Sequence, residues 1–261
     1  MGIASNILGS GYGISGSQLG GLGIEVPTGS AFTPESLANL VFYVKRTGPL
    51  FSDAGTTPAV DADPVYRWVD SVNSITGDQA TLANRPILTS GASGYLTFDG
   101  ASDWIGFGTP AQVQATGQHS MWALIRTSAT LIGAGFRAIY NYPNGFLLAG
   151  YDNGSTITLA SYDWGGGAAR DSGISIRNGN WRLVGSNFDV GVASGSSWIV
   201  DGVTVGSAFT YSSSTYSSNL RIGANQFGGE RWDGDIAEVG HVVGRNLTGT
   251  EWTNLKNYYG V

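Results

Sequence analysis

Apolar side chains gather in short runs along most of this chain, and polar turn residues separate the runs at regular intervals. β-like runs fall at 95–98, 104–107, 119–127, 129–141, 145–151, 155–162, 174–177, 181–189, 196–206 and 219–223. Between them lie Asp99-Gly100, Pro143-Asn144-Gly145, Asp152-Asn153-Gly154, Asn178-Gly179-Asn180 and Asp201-Gly202. Short runs rich in Val, Ile, Thr and aromatics, bounded by Asn, Asp and Gly, predict antiparallel strands. Asp99-Gly100 reads as a strand-turn-strand, and Asn178-Gly179 and Asp201-Gly202 suit type I′ hairpins. Two short helices are expected at the ends of this region. Thr33-Pro34-Glu35-Ser36 opens one near 34–40, with Leu37, Leu40 and Val41 on its apolar side. Thr248 or Thr250 caps the other, near 248–258, with Trp252, Leu255 and Tyr259 on one face.

Residues 1–33 break the pattern. Gly9 to Ser17 and Leu19 to Ile24 show no helical period and no charge. Glycine is entropically costly to order and offers no packing surface. Yet Ile7, Leu8, Tyr12, Ile14, Leu19 and Leu22 are too apolar for a solvated linker. The expectation is an extended anchoring arm that lies against a partner surface and makes most contacts between chains, so that the protein works as an oligomer or in a larger assembly. Residues 34–261 form the second region.

Composition narrows the function. The chain has 261 residues, 41 of them glycine, and only 12% are charged. Little charge and much glycine suit an all-β domain with many tight turns. The formal charge of −6 disfavours nucleic acid and anionic membrane surfaces. The absence of Cys excludes disulfides, thiolate metal sites and a Cys nucleophile. No apolar run reaches the ~20 residues of a membrane-spanning helix. No basic region followed by an apolar run marks an export signal, so assembly in a host cytoplasm is expected.

Five segments carry a family resemblance. They are Pro34 to Tyr43; Val65-Tyr-Arg-Trp-Val-Asp-Ser71 with Asp78-Gln-Ala-Thr81 and Asn84-Arg-Pro86; Tyr95 to Ile105; Trp198-Ile-Val-Asp-Gly-Val-Thr-Val205; and Trp232-Asp-Gly-Asp-Ile-Ala-Glu-Val239 with Leu247 to Gly260. In this order they resemble the laminin-G-like jelly rolls of the concanavalin A-like lectin/glucanase superfamily, a non-catalytic kind found in phage virion proteins. The resemblance covers about residues 34–260. It implies an antiparallel β-sandwich that serves binding or architecture.

Candidate chemistry is sparse. Asp233, Asp235 and Glu238 read D-x-D-x-x-E, close to the E-x-D-x-x-E strand of jelly-roll glucanases. Alternation puts the two Asp on one face, and a bulge is needed to bring Glu238 round. The Asp in first place and the ordinary Ile236-Ala-Glu-Val ending point to structure, so no enzyme is expected and a glycoside hydrolase is the minor alternative. His119 and His241 flank apolar runs and read as hydrogen-bonded sheet residues. No cofactor is expected. Were Ca²⁺ held at a loop rim, Asp99, Asp103 and Asp233 would supply hard oxygens; Asp in a β-turn is the other reading. Trp104, Trp122, Trp181 and Trp198 sit in strand patterns and read as core. Trp164 precedes Gly165-Gly-Gly167, which gives its ring little to pack against. Trp164 is therefore the candidate sugar-stacking residue, with Tyr162, Asp163 and Asn153 near it in sequence. These features together lead to a non-enzymatic virion structural or decoration protein of a tailed phage. Its arm would hold capsid or tail, and its jelly roll would face host glycans. A carbohydrate-binding adhesion module of a bacterial protein is the alternative.

Overall fold

The computed structural model describes residues 32–90, 94–114, 117–128, 134–142, 146–163, 168–212 and 219–261. The chain divides into two units, of which Thr33–Val261 is the second. The arm residues Ile7, Leu8, Tyr12, Ile14, Leu19 and Leu22, and the loop residue Trp164, lie outside the described residues.

The described residues hold seventeen strands. They are β1 (Leu40–Val44), β2 (Leu50–Phe51), β3 (Arg67–Val69), β4 (Thr76–Asp78), β5 (Ile87–Thr89), β6 (Tyr95–Asp99), β7 (Ile105–Gly108), β8 (His119–Thr127) and β9 (Gly135–Tyr142). Then follow β10 (Phe146–Asp152), β11 (Ile157–Asp163), β12 (Ala168–Ser175), β13 (Arg182–Phe188), β14 (Ser196–Val200), β15 (Val203–Phe209), β16 (Leu220–Ile222), β17 (Asp233–Val243) and helix α1 (Gly249–Tyr259). The strands make two antiparallel sheets. One runs β15-β14-β13-β8-β17-β6-β5, with β1 also paired to β17. The other runs β12-β11-β10-β9-β16-β7-β4-β3-β2. Trp68, Phe98, Phe107, Tyr140, Phe188, Trp198 and Trp232 fill the space between them. The antiparallel strands expected from the run pattern, and the all-β jelly-roll sandwich that the family resemblance implies, are the observed fold.

Turns in the sequence mark direction changes but not sheet membership. Asp201-Gly202 joins β14 to β15 with φ of 49° and 77°, the two positive values that a type I′ hairpin needs. Asp99-Gly100 joins strands that do not pair: β6 lies in the eight-stranded sheet and β7 in the nine-stranded one. The cause is local. Asp99 Oδ1 accepts the N–H groups of Ala101, Ser102 and Asp103, which sends the chain across the sandwich instead of back along β6. Asn178-Gly179 likewise links β12 to β13, which sit in different sheets, so the expected hairpin there is a crossing. The expected 34–40 helix is a single 3₁₀ turn, Pro34–Ser36, because the chain enters β1 at Leu40.

Helix α1 covers part of the outer face of the eight-stranded sheet. Thr248 caps it: its hydroxyl accepts Glu251 N–H while the Glu251 carboxylate accepts Thr248 N–H. Trp252 and Leu255 are buried, each contributing ~1.5–3 kcal/mol. Trp252 donates to Asn187 Oδ1, and Trp122 donates to the Tyr259 hydroxyl. Trp122 is thus buried outside the sandwich core, beneath the helix side. Gly240 makes room for its ring, since a Cβ there would overlap the indole.

Candidate functional site

Alternation along the strands of the nine-stranded sheet sends one set of side chains inward and the other to the outer face. On that outer face the register joins one residue from every strand into a single row. The row runs Ala169, Tyr162, Leu147, Asn141, Arg221, Gly106, Asp78, Arg67 and Phe51. Eight steps of ~4.8 Å make a lane roughly 38 Å long.

Aromatic rings occupy both halves of this lane. At one end Ala138 and Ala149, with no bulk beyond Cβ, form a floor with Leu147 against which Phe136 and Tyr162 pack. Phe136 meets Tyr162 edge-on at 5.6 Å between ring centroids and Tyr151 at 5.2 Å. All three rings are half-buried. Further along, Trp104 lies over Gly106: a Cβ on that glycine would come within 2.7 Å of the indole. The Arg221 guanidinium stacks on Trp104 at 4.3 Å. Beyond it Asp78 accepts two hydrogen bonds from Arg67, at 2.7 and 2.9 Å. The face therefore interleaves flat apolar rings with guanidinium and carboxylate groups, while Asn141 is fully buried beneath it.

The residues singled out in the sequence are distributed as follows. Tyr162 stands on the lane. Asp163, its neighbour, points inward, is buried and accepts Ser212 N–H. Asn153 sits in the β10–β11 turn and accepts Ser155 and Thr156 N–H. That turn and Tyr162 are at opposite ends of the hairpin, roughly 20 Å apart, so the structure does not bring Asn153 to the others. Trp104 and Trp181, expected in the core, are half-buried on outer faces; Trp198 is a core residue as expected. The lane residues Phe136, Tyr151, Asn141 and Arg221 were missed. Their signal was present: outward positions of consecutive strands that carry aromatics where a solvated face carries small polar groups.

The outer face of the eight-stranded sheet holds the carboxylates. A bulge between Ile236 and Glu238 in β17 puts Asp233, Asp235 and Glu238 on the same side. All three are engaged. Asp235 Oδ1 accepts from Thr97 Oγ1 at 2.7 Å, and Oδ2 from Arg126 at 2.6 and 2.7 Å. Arg126 in turn lies 4.9 Å from the Tyr95 ring and 5.1 Å from Trp181. Glu238 accepts from the Tyr43 hydroxyl and sits 3.3 Å from Arg46, and burial raises its carboxyl above the usual range. Asp233 stands opposite Asp99 across β17 and β6, and burial raises its carboxyl too. Asp103 Oδ2 accepts Asp99 N–H; burial first, and then the Asp99 charge, push its carboxyl up to about 6. No group of three or more His, Asp or Glu among the described residues is placed to hold a metal ion.

His119 and His241 are fully buried between the sheets. His119 stacks on Tyr142 at 5.4 Å, faces Phe188 at 4.8 Å and has Nδ1 3.0 Å from the Gly117 carbonyl. His241 Nδ1 lies 3.1 Å from the Tyr140 hydroxyl. Burial holds both imidazoles below their usual range, His119 at about 4.

This architecture defines an antiparallel jelly-roll sandwich, and solved structures share it. The chain is similar to the fourth domain of an extracellular GH43 arabinanase from Geobacillus stearothermophilus, solved with arabinotriose (TM-score 0.54, 16% identity, 84% of this chain and 98% of that one). It is similar also to Trypanosoma rangeli sialidase in complex with sialic acid (TM-score 0.55, 17% identity, 89% of this chain but 34% of the sialidase). A third is the binding domain of Paraclostridial Mosquitocidal Protein 1 (TM-score 0.55, 13% identity, 85% and 52%). A scan against protein-family models finds no match, and a search of curated proteins finds none.

Proposed function

We propose that this chain is a non-catalytic glycan-binding module whose ligand lies along the outer face of the nine-stranded sheet. The observation that carries this reading is the lane itself. Sugar rings present apolar C–H faces and a rim of hydroxyls, and the lane offers half-buried rings alternating with the half-buried Arg221, Asp78 and Arg67. Arabinotriose in one structural relative and sialic acid in another support the same ligand class. On the opposite sheet, hydrogen bonds and ion pairs already occupy Asp235 and Glu238, which favours binding over hydrolysis.

A glycan array followed by titration calorimetry tests the proposal. Phe136→Ala, Tyr162→Ala and Trp104→Ala should each weaken binding by roughly fivefold, about 1 kcal/mol per lost stacking contact. Absence of binding across neutral and acidic polysaccharides, or wild-type affinity in all three variants, refutes it.

The sequence of residues 1–33 supports a second element, the display of this module on a tailed-phage particle. Removing residues 1–33 should leave residues 34–261 folded and able to bind, and should abolish incorporation into the particle. Unchanged incorporation overturns the anchoring role.

A further inference from the structure

Midway along the lane two guanidiniums face the same small space with no carboxylate between them. Arg221 projects from β16. Arg231 bridges to Ala138 of β9, and its side chain reaches across to donate to the Ser102 carbonyl. A Cβ built on Gly228 would stand 3.1 Å from Arg221 Nη1 and 3.8 Å from Arg231 Nη2, so both groups converge in front of that glycine. Seven of the thirteen Lys and Arg side chains sit in ion pairs; Arg221 and Arg231 are among those that do not. Arg221 donates from Nη1 to the Asn225 carbonyl at 3.2 Å, but its Nε is buried without a hydrogen-bond partner. Beside them the loop presents Phe227, 68% exposed, and Trp104 forms the wall under Arg221.

Two like charges this close repel, and partial burial strengthens the repulsion. Burial, and then the neighbouring Arg231 charge, hold the Arg221 guanidinium below its usual range; of the acids nearby, Asp103 acts on Arg231 and accepts Asp99 N–H, and Glu230 is hydrogen-bonded to the Asn225 side chain. Such an arrangement is relieved by an anion with two oxygens in a plane, which guanidinium forks bind in bidentate fashion. The overall charge of −6 makes a general affinity for polyanions an inadequate explanation.

We infer that the glycan taken by this face is acidic, and that Arg221 and Arg231 together clamp its anionic substituent, a carboxylate or a sulfate ester, while Trp104 and Phe227 flank the sugar that bears it. The inference rests on the glycan-binding reading and narrows it to a substrate class.

The test uses the full chain and three probes: polygalacturonate, dextran sulfate and neutral arabinan. Affinity electrophoresis at low and moderate salt compares wild type with Arg221→Gln, Arg231→Gln and Tyr162→Ala. Wild type should bind at least one anionic probe at least tenfold more tightly than arabinan, and salt should erode that preference. Retention by polygalacturonate alone assigns the clamp to carboxylates, and by dextran sulfate alone to sulfate esters. Each arginine variant should lose about tenfold on the preferred anionic probe and at most about twofold on arabinan, while Tyr162→Ala weakens both equally. Should Arg221→Gln fail to fold by thermal melting, Arg231→Gln carries the same comparison, and Arg221→Lys should recover only part of the affinity. Equal binding of all probes, or arginine variants unchanged on the anionic ones, overturns the clamp while leaving glycan binding intact. Binding of none of the probes, neutral or acidic, overturns both.

Discussion

Replacing His119 by Phe should flatten the acid sensitivity of the fold. The imidazole is fully buried, stacked on Tyr142 and packed against Phe188, and its burial, only partly offset by the Gly117 carbonyl, holds it at about 4. In the unfolded chain it titrates near 6.5. A His whose folded value is depressed leaves the unfolded state with more bound protons between those two values. Stability is therefore complete above about 6.5 and is lost as pH falls towards 4. A difference of about 2.5 units corresponds to roughly 3 kcal/mol over that window. Phe preserves the ring contacts and removes the titration. Other groups also act in this range: Asp103 opposes the loss and cancels in the comparison, whereas His241, 5.4 Å from His119, adds to it and is relieved of the His119 charge in the variant, which moves the gap further in the variant's favour at low pH. The assay is urea unfolding followed by tryptophan fluorescence at pH 7, 6, 5 and 4.5. The gap between wild type and His119→Phe should move in favour of the variant as pH falls, by 2–3 kcal/mol. Parallel curves would refute the reasoning, because they would mean that the folded protein protonates His119 as readily as the unfolded chain.

Asp103→Asn should have the opposite pH signature. An acid raised to about 6 keeps its proton in the folded state while the unfolded chain has lost it, so stability drops as pH rises from about 4 to 6; the variant should gain roughly 3 kcal/mol at pH 7 and little at pH 4 in the same urea assay. Gly240→Ala should cost about 1–3 kcal/mol by overpacking the Trp122 ring, read as a lowered melting temperature. Thr248→Ala removes the helix cap and should cost about 1 kcal/mol, with Thr248→Ser recovering most of it.

The run pattern carried the fold because alternation is a local property: each strand must turn one face to the core whatever its partner. It located β8 at the same residues, 119–127, and placed α1 to within a residue, with Thr248 one of the two caps it allowed. Sheet membership was not legible, since Asp99-Gly100 and Asn178-Gly179 look like hairpin turns whether the chain folds back or crosses over. The candidate site was legible only in part. Tyr162 stood out through its neighbourhood, but Asp163 next to it faces inward and Asn153 lies at the far end of the hairpin. Arg221, Asn141 and Trp104 come from β16, β9 and the entry to β7, more than thirty residues apart in sequence, and only the pairing register sets them side by side. The bulge at Ile236–Glu238 is a similar case: the D-x-D-x-x-E spacing allowed it, and the two-against-one pairing with β8 produces it.

The glycan-binding lane is tested most directly by an amide and indole NMR titration of the labelled chain with an oligosaccharide that it binds. Shift changes should cluster on Tyr162, Leu147, Asn141, Arg221 and Gly106 and on the Trp104 indole, with the Trp198 and Trp252 indoles unmoved. Changes centred instead on Tyr95, Thr97 and Trp181, across the eight-stranded sheet, would contradict the assignment of function to this face.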